Sequence, residues 1–195
     1  MKISSTKIFA FFVFILGLIS CKAQQVYPLN TSWDEAPNGS YLKDLSNELD
    51  EFVGTWKANY SNKHITLVIT KELQQPFETM IKSFFKDQLS VRYHITNNSG
   101  LIVHTTSNNN FTLNPDFKFV SVASRQALNE VTLIYNGGGC SIGIGKVYLK
   151  KINSTQFQWN YIPEPQTLSD TTCPPGTAEP AVYLPVIENL VFTKQ

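Results

Sequence analysis

Positive charge is scarce in this sequence, and arginine is almost absent. Arginine occurs only at Arg92 and Arg125, charged residues make up 16% of the 195-residue chain, and the formal net charge is +1. Proteins that bind nucleic acid concentrate lysine and arginine on one face, where these residues neutralise phosphates. The sequence has no such basic cluster, so we expect no nucleic-acid partner.

No catalytic motif occurs in the context that its chemistry needs. The letters Gly-x-Ser-x-Gly occur as GCSIG at 139–143, but the elbow of serine hydrolases runs from a strand into a helix, whereas this stretch leads into a predicted strand. The glycine-rich stretch at 136–145 leads into a predicted strand, whereas a phosphate-binding loop runs directly into a helix. The paired carboxylates at 34–35 and 50–51 precede the predicted sheet and are interpreted as solvated surface. We therefore predict no enzymatic activity, no catalytic residue and no cofactor.

Histidine is limited to three residues, two of which could approach each other. A predicted hairpin over 91–106, with its loop at 98–100, would place His94 opposite His104 on the polar face. Their Cβ atoms would then be about 5 Å apart. A transition metal ordinarily needs a third protein ligand, and no carboxylate occupies a neighbouring polar position. We predict no metal site, with His94 and His104 as weak candidates.

The N-terminal segment and its cysteine indicate export. Two lysines precede an apolar run at 8–19, which has the length of a signal-peptide core and is too short to span a bilayer comfortably. The run ends in LISC at 18–21, which resembles the lipobox of bacterial lipoproteins. We predict diacylation of Cys21 and a lipid-anchored protein of the cell envelope, with the outer membrane as the expected location. An ordinary secretory signal cut near Ala23 is the alternative.

Cys140 and Cys173 are the two cysteines that remain once Cys21 is acylated. An exported compartment permits disulfides, and these two residues form the one intramolecular pair that is then available. We predict a disulfide between them, with two separate thiols as the alternative.

Three segments are predicted along the chain. Residues 1–20 form a signal peptide, residues 21–40 form a polar, aperiodic, lipidated tether, and residues 41–195 form a single domain. Two helices are expected within the domain, because apolar residues recur at helical spacing in two places. The first is a short N-terminal helix over 42–53, and the second is a helix over 76–89 that covers an edge or an open end of the sheet.

The rest of the domain has the two-residue period of β-strands. Trp56, Ala58 and Tyr60 alternate with polar residues, and a turn at 62–63 would place Trp56 opposite Ile69. Together with the hairpin at 91–106, the chain gives about eight to nine strands, most of them joined as hairpins. This pattern predicts a mainly β fold, an antiparallel barrel or sandwich. The later strands are predicted at 117–123, 131–135, 143–151, 155–162 and 187–193.

The stretch EFVGTWK at 51–57 resembles the entry strand of the lipocalin and fatty-acid-binding families. In those families a short helix precedes Gly-x-Trp, and the tryptophan closes one end of a barrel; the matching residues are Phe52, Gly54 and Trp56. The resemblance implies a lipocalin-like barrel. It also implies a basic residue packed over Trp56, which either arginine or a lysine could supply.

The whole chain is similar to a family of small bacterial lipoproteins of unknown function. The similarity implies a location in the envelope, and it brings no activity and no catalytic residues. The segments that carry it are LISCKAQ at 18–24, YPL at 27–29, LKDLSNELDEFVGTW at 42–56 and LPVIENLVFTK at 184–194.

Two functions fit these observations. The first is a membrane-anchored interaction or structural module, whose barrel is filled by its own side chains and whose partner is an envelope protein. The alternative is a lipocalin-like carrier that binds a hydrophobic small molecule. Inward aromatic residues are compatible with both, because side chains fill small barrels and also line ligand cavities. The candidate lining residues are Trp56, Tyr60, Tyr93, Phe119, Tyr135, Phe157 and Trp159.

Overall fold

The computed structural model describes residues 23–171, 173–175 and 181–195. The predicted signal peptide and Cys21 lie outside these residues. The helical elements in the described part are three short 3₁₀ turns, at Asp50–Phe52, Gln126–Leu128 and Gly139–Ser141. The strands are β1 Val26–Pro28, β2 Tyr41–Lys43, β3 Gly54–Tyr60, β4 Lys63–Glu78, β5 Ser83–Asn97, β6 Ile102–Thr105, β7 Phe119–Arg125, β8 Glu130–Tyr135, β9 Gly145–Asn153, β10 Gln156–Pro163 and β11 Leu190–Lys194.

Eight of these strands form a closed antiparallel barrel, which confirms the predicted fold class at that level. The order around the barrel is β5-β4-β3-β11-β10-β9-β8-β7, and β7 returns to β5. The seam between β7 and β5 holds one register pair. Beside that pair, the Ser121 hydroxyl accepts a hydrogen bond from the Leu89 N–H at 2.8 Å. The Lys86 ammonium donates to the carbonyls of Ser121 and Val122 at 3.1 Å, so side chains complete the seam.

The first hairpin keeps the predicted inner face but has a different register. Trp56 pairs with Leu67 instead of Ile69. The turn is formed by Ser61 and Asn62, one residue earlier than predicted, and both have positive φ, at 46° and 63°. Positive φ at both central residues is what a two-residue type I′ turn requires. Because the register shift is two residues, the same side chains stay on the inner face.

Both predicted helices are wrong. Residues 42–53 contain part of β2, two turns and the 3₁₀ turn Asp50–Phe52, and residues 76–89 contain the end of β4, a tight turn and the start of β5. Phe77 and Phe84 pair across the two strands, and their stacked rings have centroids 5.4 Å apart. Cross-strand packing of this kind outweighs the helical spacing of the apolar residues.

Strands β4 and β5 extend past the barrel as an arm, formed by residues 70–78 and 83–88. The β3 partner of β4 begins at Gly54, which lies opposite Ile69, so the arm residues of β4 pair with β5 alone. The short strands β2 and β1 add to the arm in parallel. The arm is therefore a small mixed sheet at the Trp56 end of the barrel.

The segment that was predicted to be a tether is folded against this arm. Leu29 and Ala36 are buried, and the Trp33 ring packs on Phe77 and Phe84 with centroids 5.1 and 6.4 Å away. Polar composition suggested a free linker. Trp33 and Ala36 nevertheless cover one face of the arm, since a small sheet needs a packed face to be stable, and Leu29 packs into the barrel core.

Candidate functional site

The barrel interior, which would be the ligand cavity of the alternative carrier function, is filled by aromatic side chains that contact one another. The Trp56 and Phe157 ring centroids are 4.6 Å apart, and those of Phe119 and Tyr135 are 4.5 Å apart. Six of the seven predicted lining residues are at most 1% exposed, and Tyr60 is half-buried at the rim. The structure thus brings these residues together as a packed core.

Clefts are found on the outer surface of the protein. One of about 640 Å³ is lined by residues 23–25 and 37–40, where the described chain begins. Another of about 510 Å³ lies between β5 and the loop at 109–112 and is lined by Arg92 and Phe111 among others. Neither cleft is lined by an inward aromatic residue of the barrel.

Two lysines pack over Trp56 at the arm end of the barrel. The ammonium groups of Lys151 and Lys194 lie 5.1 and 5.2 Å from the ring centroid, within cation–π range. The indole N–H donates to the Phe52 carbonyl at 2.8 Å. Gly54 has φ 138°, and a Cβ there would lie 2.8 Å from the Lys194 Cε. The basic residues implied by the lipocalin resemblance are therefore lysines, and neither arginine takes this place.

The predicted pairing of His94 with His104 is wrong. A bulge in the β5–β6 pair places His104 beside Ile95 and His94 beside Thr105. A one-residue slip moves a side chain to the other face of the sheet. The His104 ring therefore stacks on the Tyr183 ring, with the two centroids 4.0 Å apart. Burial lowers the pKa of His104.

No group of three or more His, Cys, Asp or Glu side chains within the described ranges is arranged to hold a metal ion. No helix in the same residues combines the length and apolarity needed to cross a bilayer.

Buried tyrosines at the end of the barrel opposite the arm carry hydroxyls inside the core. Tyr161 donates to the Gly143 carbonyl. The hydroxyls of Tyr93 and Tyr135 interact with each other, and neither of them, nor Nδ1 of His104, has another hydrogen-bond partner among the described residues. Burial raises the pKa of Tyr93 and of Tyr161, and it raises the pKa of Tyr135 to about 12, so all three hydroxyls stay protonated near neutral pH.

A disulfide joins Cys140 to Cys173 at the same end of the barrel. The glycine-rich stretch before Cys140 is a tight turn. Gly137 has φ 80°, and a Cβ there would lie 2.2 Å from the Ser141 carbonyl oxygen. Glycine is needed here because two stretches of backbone approach too closely to leave room for a side chain. The disulfide fixes this turn to the segment that follows β10.

Two buried carboxylates in the arm were not found from the sequence. Asp87, at 1% exposure, accepts hydrogen bonds from the Tyr41 hydroxyl and from the backbone N–H groups of Asp44 and Gln74, both at 3.0 Å. The Asp44 carboxylate pairs with the Lys71 ammonium at 2.8 Å. Burial and the Asp87 carboxylate together raise the pKa of Tyr41 to about 12. Both carboxylates are thus fully engaged in holding β2 to the arm.

The family of the chain follows from comparison with known proteins. A family model described as a family of unknown function (DUF6705) matches residues 1–195. The chain belongs to this family. No curated protein and no solved structure gives a significant match.

Within the described residues of this DUF6705 protein, the buried Lys86 ammonium forms no salt bridge with a carboxylate. Its side chain is 2% exposed, and its ammonium donates to two β7 carbonyls and lies 4.9 Å from the Phe77 ring centroid. Burial lowers its pKa to about 8. No local pattern marks this site, because Lys86 lies on the polar side of the helix that the apolar spacing predicts.

Proposed function

We propose that this protein is a lipid-anchored lipoprotein of the bacterial cell envelope whose barrel acts as a non-catalytic interaction or structural module. The observation that carries the proposal is the packed interior, where Trp56, Phe119, Phe157 and Trp159 are fully buried against one another. Small eight-stranded barrels are commonly filled by their own side chains, and a filled barrel offers its outer surface and its loops to a partner.

The anchor is supported by the sequence of the first 21 residues. An apolar run that stops at Cys21 suits a lipoprotein signal, and two acyl chains on that cysteine would hold the protein firmly, since each buried methylene contributes roughly 0.8 kcal/mol. The outer membrane is the proposed location. The protein would be tethered by lipid at its N-terminus and not by a membrane-spanning helix.

The barrel is proposed to be lipocalin-like. Gly54 and Trp56 lie on β3, the first strand of the barrel, directly after the 3₁₀ turn Asp50–Phe52. Trp56 fills the arm end of the interior beneath Lys151 and Lys194. These positions correspond to those expected from the Gly-x-Trp resemblance, and they support a common way of closing one barrel end.

A carrier of a small hydrophobic molecule is the second candidate function. The observation that favours it is the pair of buried hydroxyls on Tyr93 and Tyr135, which interact with each other and have no other hydrogen-bond partner among the described residues. Buried polar groups are ordinarily paired, and a few polar groups in an apolar site are typical of ligand cavities. A ligand with one acceptor group could satisfy both hydroxyls at this end of the barrel.

Native mass spectrometry of the protein purified from its own host separates the two functions. We expect a single mass, equal to that of the acylated chain, because a packed interior has no room for a second molecule. The control is the same sample after denaturation and solvent extraction, which removes a non-covalent ligand and leaves the acyl chains. A mass that is higher under native conditions and is lost on extraction would support the carrier instead.

Metabolic labelling with radioactive palmitate tests the anchor. We expect the wild-type protein to incorporate label and the Cys21→Ser variant to incorporate none, because the thiol of residue 21 is the proposed acylation site. Equal labelling of both proteins would contradict the proposed anchor. The Cys140→Ser variant is the matched control and should be labelled as strongly as the wild type.

A further inference from the structure

The tip of the arm exposes large apolar side chains at a tight turn. Residues 79–82 connect β4 to β5, and the two central residues of the turn, Met80 and Ile81, are 103% and 80% exposed. Such positions are ordinarily taken by glycine, proline, asparagine, aspartate or serine. The sequence therefore places two apolar side chains where the fold gives them no contact.

The turn is held in one conformation despite its exposure. The Thr79 hydroxyl accepts hydrogen bonds from the N–H groups of Ile81 and Lys82, and the Thr79 N–H donates to the Lys82 carbonyl at 2.8 Å. The Lys82 ammonium points back to the loop before β2, where it donates to the carbonyls of Trp33, Asp34 and Ala36. The one cation of the turn is thus directed away from Met80 and Ile81.

One face of the arm next to the tip also carries exposed apolar residues. Val26, Phe85 and Pro76 are exposed on β1, β5 and β4, and the buried Tyr41 of β2 lies between Val26 and Phe85 in the same row. Val26 is 52% exposed and Phe85 is 37% exposed. The opposite face of the arm is covered by Trp33 and its neighbours, so the apolar surface is confined to the tip and one side.

The described chain begins beside this tip. The Gln24 side chain donates to the Gly39 carbonyl at 3.0 Å, and the Gly39 N–H donates to the Ser83 carbonyl at 2.7 Å. Ser83 is two residues from Ile81. Cys21 precedes Ala23 by two residues, which can span at most about 7 Å of extended chain. The proposed lipid anchor and the apolar tip therefore belong to the same end of the molecule.

We infer that the arm tip, formed by residues 79–82, is a second membrane contact, in which Met80 and Ile81 enter the bilayer surface beside the acylated N-terminus. The inference rests on the proposed lipid anchor. The anchor holds the tip within reach of the bilayer. Insertion of the two side chains into lipid is then an intramolecular step, which does not cost the translational freedom of the protein a second time. With the arm against the membrane, the disulfide end of the barrel faces away from the membrane and is free to meet a partner.

A fluorescent label at the tip tests the inference on the full, acylated protein. In the Ile81→Cys variant the new thiol is the one available for labelling, because Cys21 carries lipid and Cys140 is bonded to Cys173. The variant is labelled with an environment-sensitive dye and reconstituted in phosphatidylcholine vesicles, since a neutral bilayer does not repel the exposed Glu78. We expect a blue-shifted emission and at least twofold quenching by lipids brominated in their acyl chains.

The Leu101→Cys variant is the matched control, because Leu101 is also exposed and follows β5 at the opposite end of the barrel. Its label should show neither the shift nor the quenching. If both labels stay unquenched while the protein floats with the vesicles, the tip inference is wrong and the anchor stands. If the acylated chain does not float with vesicles, the proposed anchor is wrong, and the inference falls with it.

Discussion

Replacement of Trp159 by alanine is expected to lower the free energy of unfolding by about 3–5 kcal/mol. Trp159 is completely buried, its ring centroid lies 6.0 Å from that of Phe119 and 5.8 Å from that of Phe192, and its indole N–H donates to the Pro185 carbonyl at 3.0 Å. The substitution removes these contacts and leaves a cavity in the middle of the barrel, as well as an unpaired carbonyl. Chemical denaturation followed by circular dichroism measures the change.

The Trp33→Ala variant is the matched control for this prediction. Trp33 packs on the arm but is 39% exposed, so its loss should cost a much smaller free energy than the loss of Trp159. A second measurement links stability to function. A cavity lined by apolar side chains binds small apolar molecules, so the Trp159→Ala variant should bind benzene whereas the wild type should not. A wild-type protein that binds benzene, or a variant as stable as the wild type, would contradict the packed interior.

The barrel could be predicted because apolar residues at every second position of its strands identify the side chains that face inward. Residues such as Trp56 and Ala58 alternate with polar residues, and the side-chain period of two is preserved under a shift of two residues. For this reason the wrong turn in the first hairpin did not change the predicted core. The predicted bounds of the later strands differ from the observed ones by a few residues for the same reason. These strands complete the barrel.

The arm could not be predicted because its residues are buried on both faces near the barrel. From Lys86 to Val91 every residue of β5 is buried, so the alternation that marks a strand is lost. The same apolar residues, such as Phe84 and Leu89, then fit a helical spacing equally well. Short apolar runs are ambiguous in this way, and only the partners of Phe84, which lie on β4 and before β2, resolve the ambiguity.

The position of His104 depended on a feature that no local pattern marks. The predicted register was right near the loop of the second hairpin, where Thr96 pairs with Ile102. A bulge next to this pair then turns the half-buried His104 ring toward Tyr93 and Tyr183. Bulges are set by how a strand must bend to follow its neighbours, which is a property of the closed barrel and not of the hairpin sequence.

The free energy of unfolding is expected to rise with pH by about 2 kcal/mol between pH 7.5 and 9.5, and the Lys86→Met variant is expected to lose this rise. The pKa of Lys86 is lowered to about 8 in the folded protein from its ordinary value of 10.5. Between these two values the unfolded chain binds the additional proton, so raising the pH favours the folded state. A neutral lysine can still donate to the Ser121 and Val122 carbonyls, so the barrel seam is kept.

Several features of the molecule make Lys86 the dominant group in this interval. Lys151 also has a pKa lowered by burial, but it is present in both proteins and its contribution cancels in their difference. The buried tyrosines, whose pKa values are raised, lower the free energy of unfolding only where the tyrosines of the unfolded chain ionise. That happens near pH 10, which lies above the window.

Lys146→Met, at an exposed position on β9, is the matched control and should retain the rise. Identical pH dependence in the wild type and in Lys86→Met would contradict the buried charge. If Lys86→Met is too unstable to measure, nitrogen NMR of the Lys86 ammonium gives the pKa directly, and an ordinary value near 10.5 would contradict it equally. A lowered value would mean that the folded protein keeps Lys86 charged at neutral pH at a cost in stability. The charged ammonium closes the seam because it binds the Ser121 and Val122 carbonyls of β7, where β5 and β7 form a single register pair.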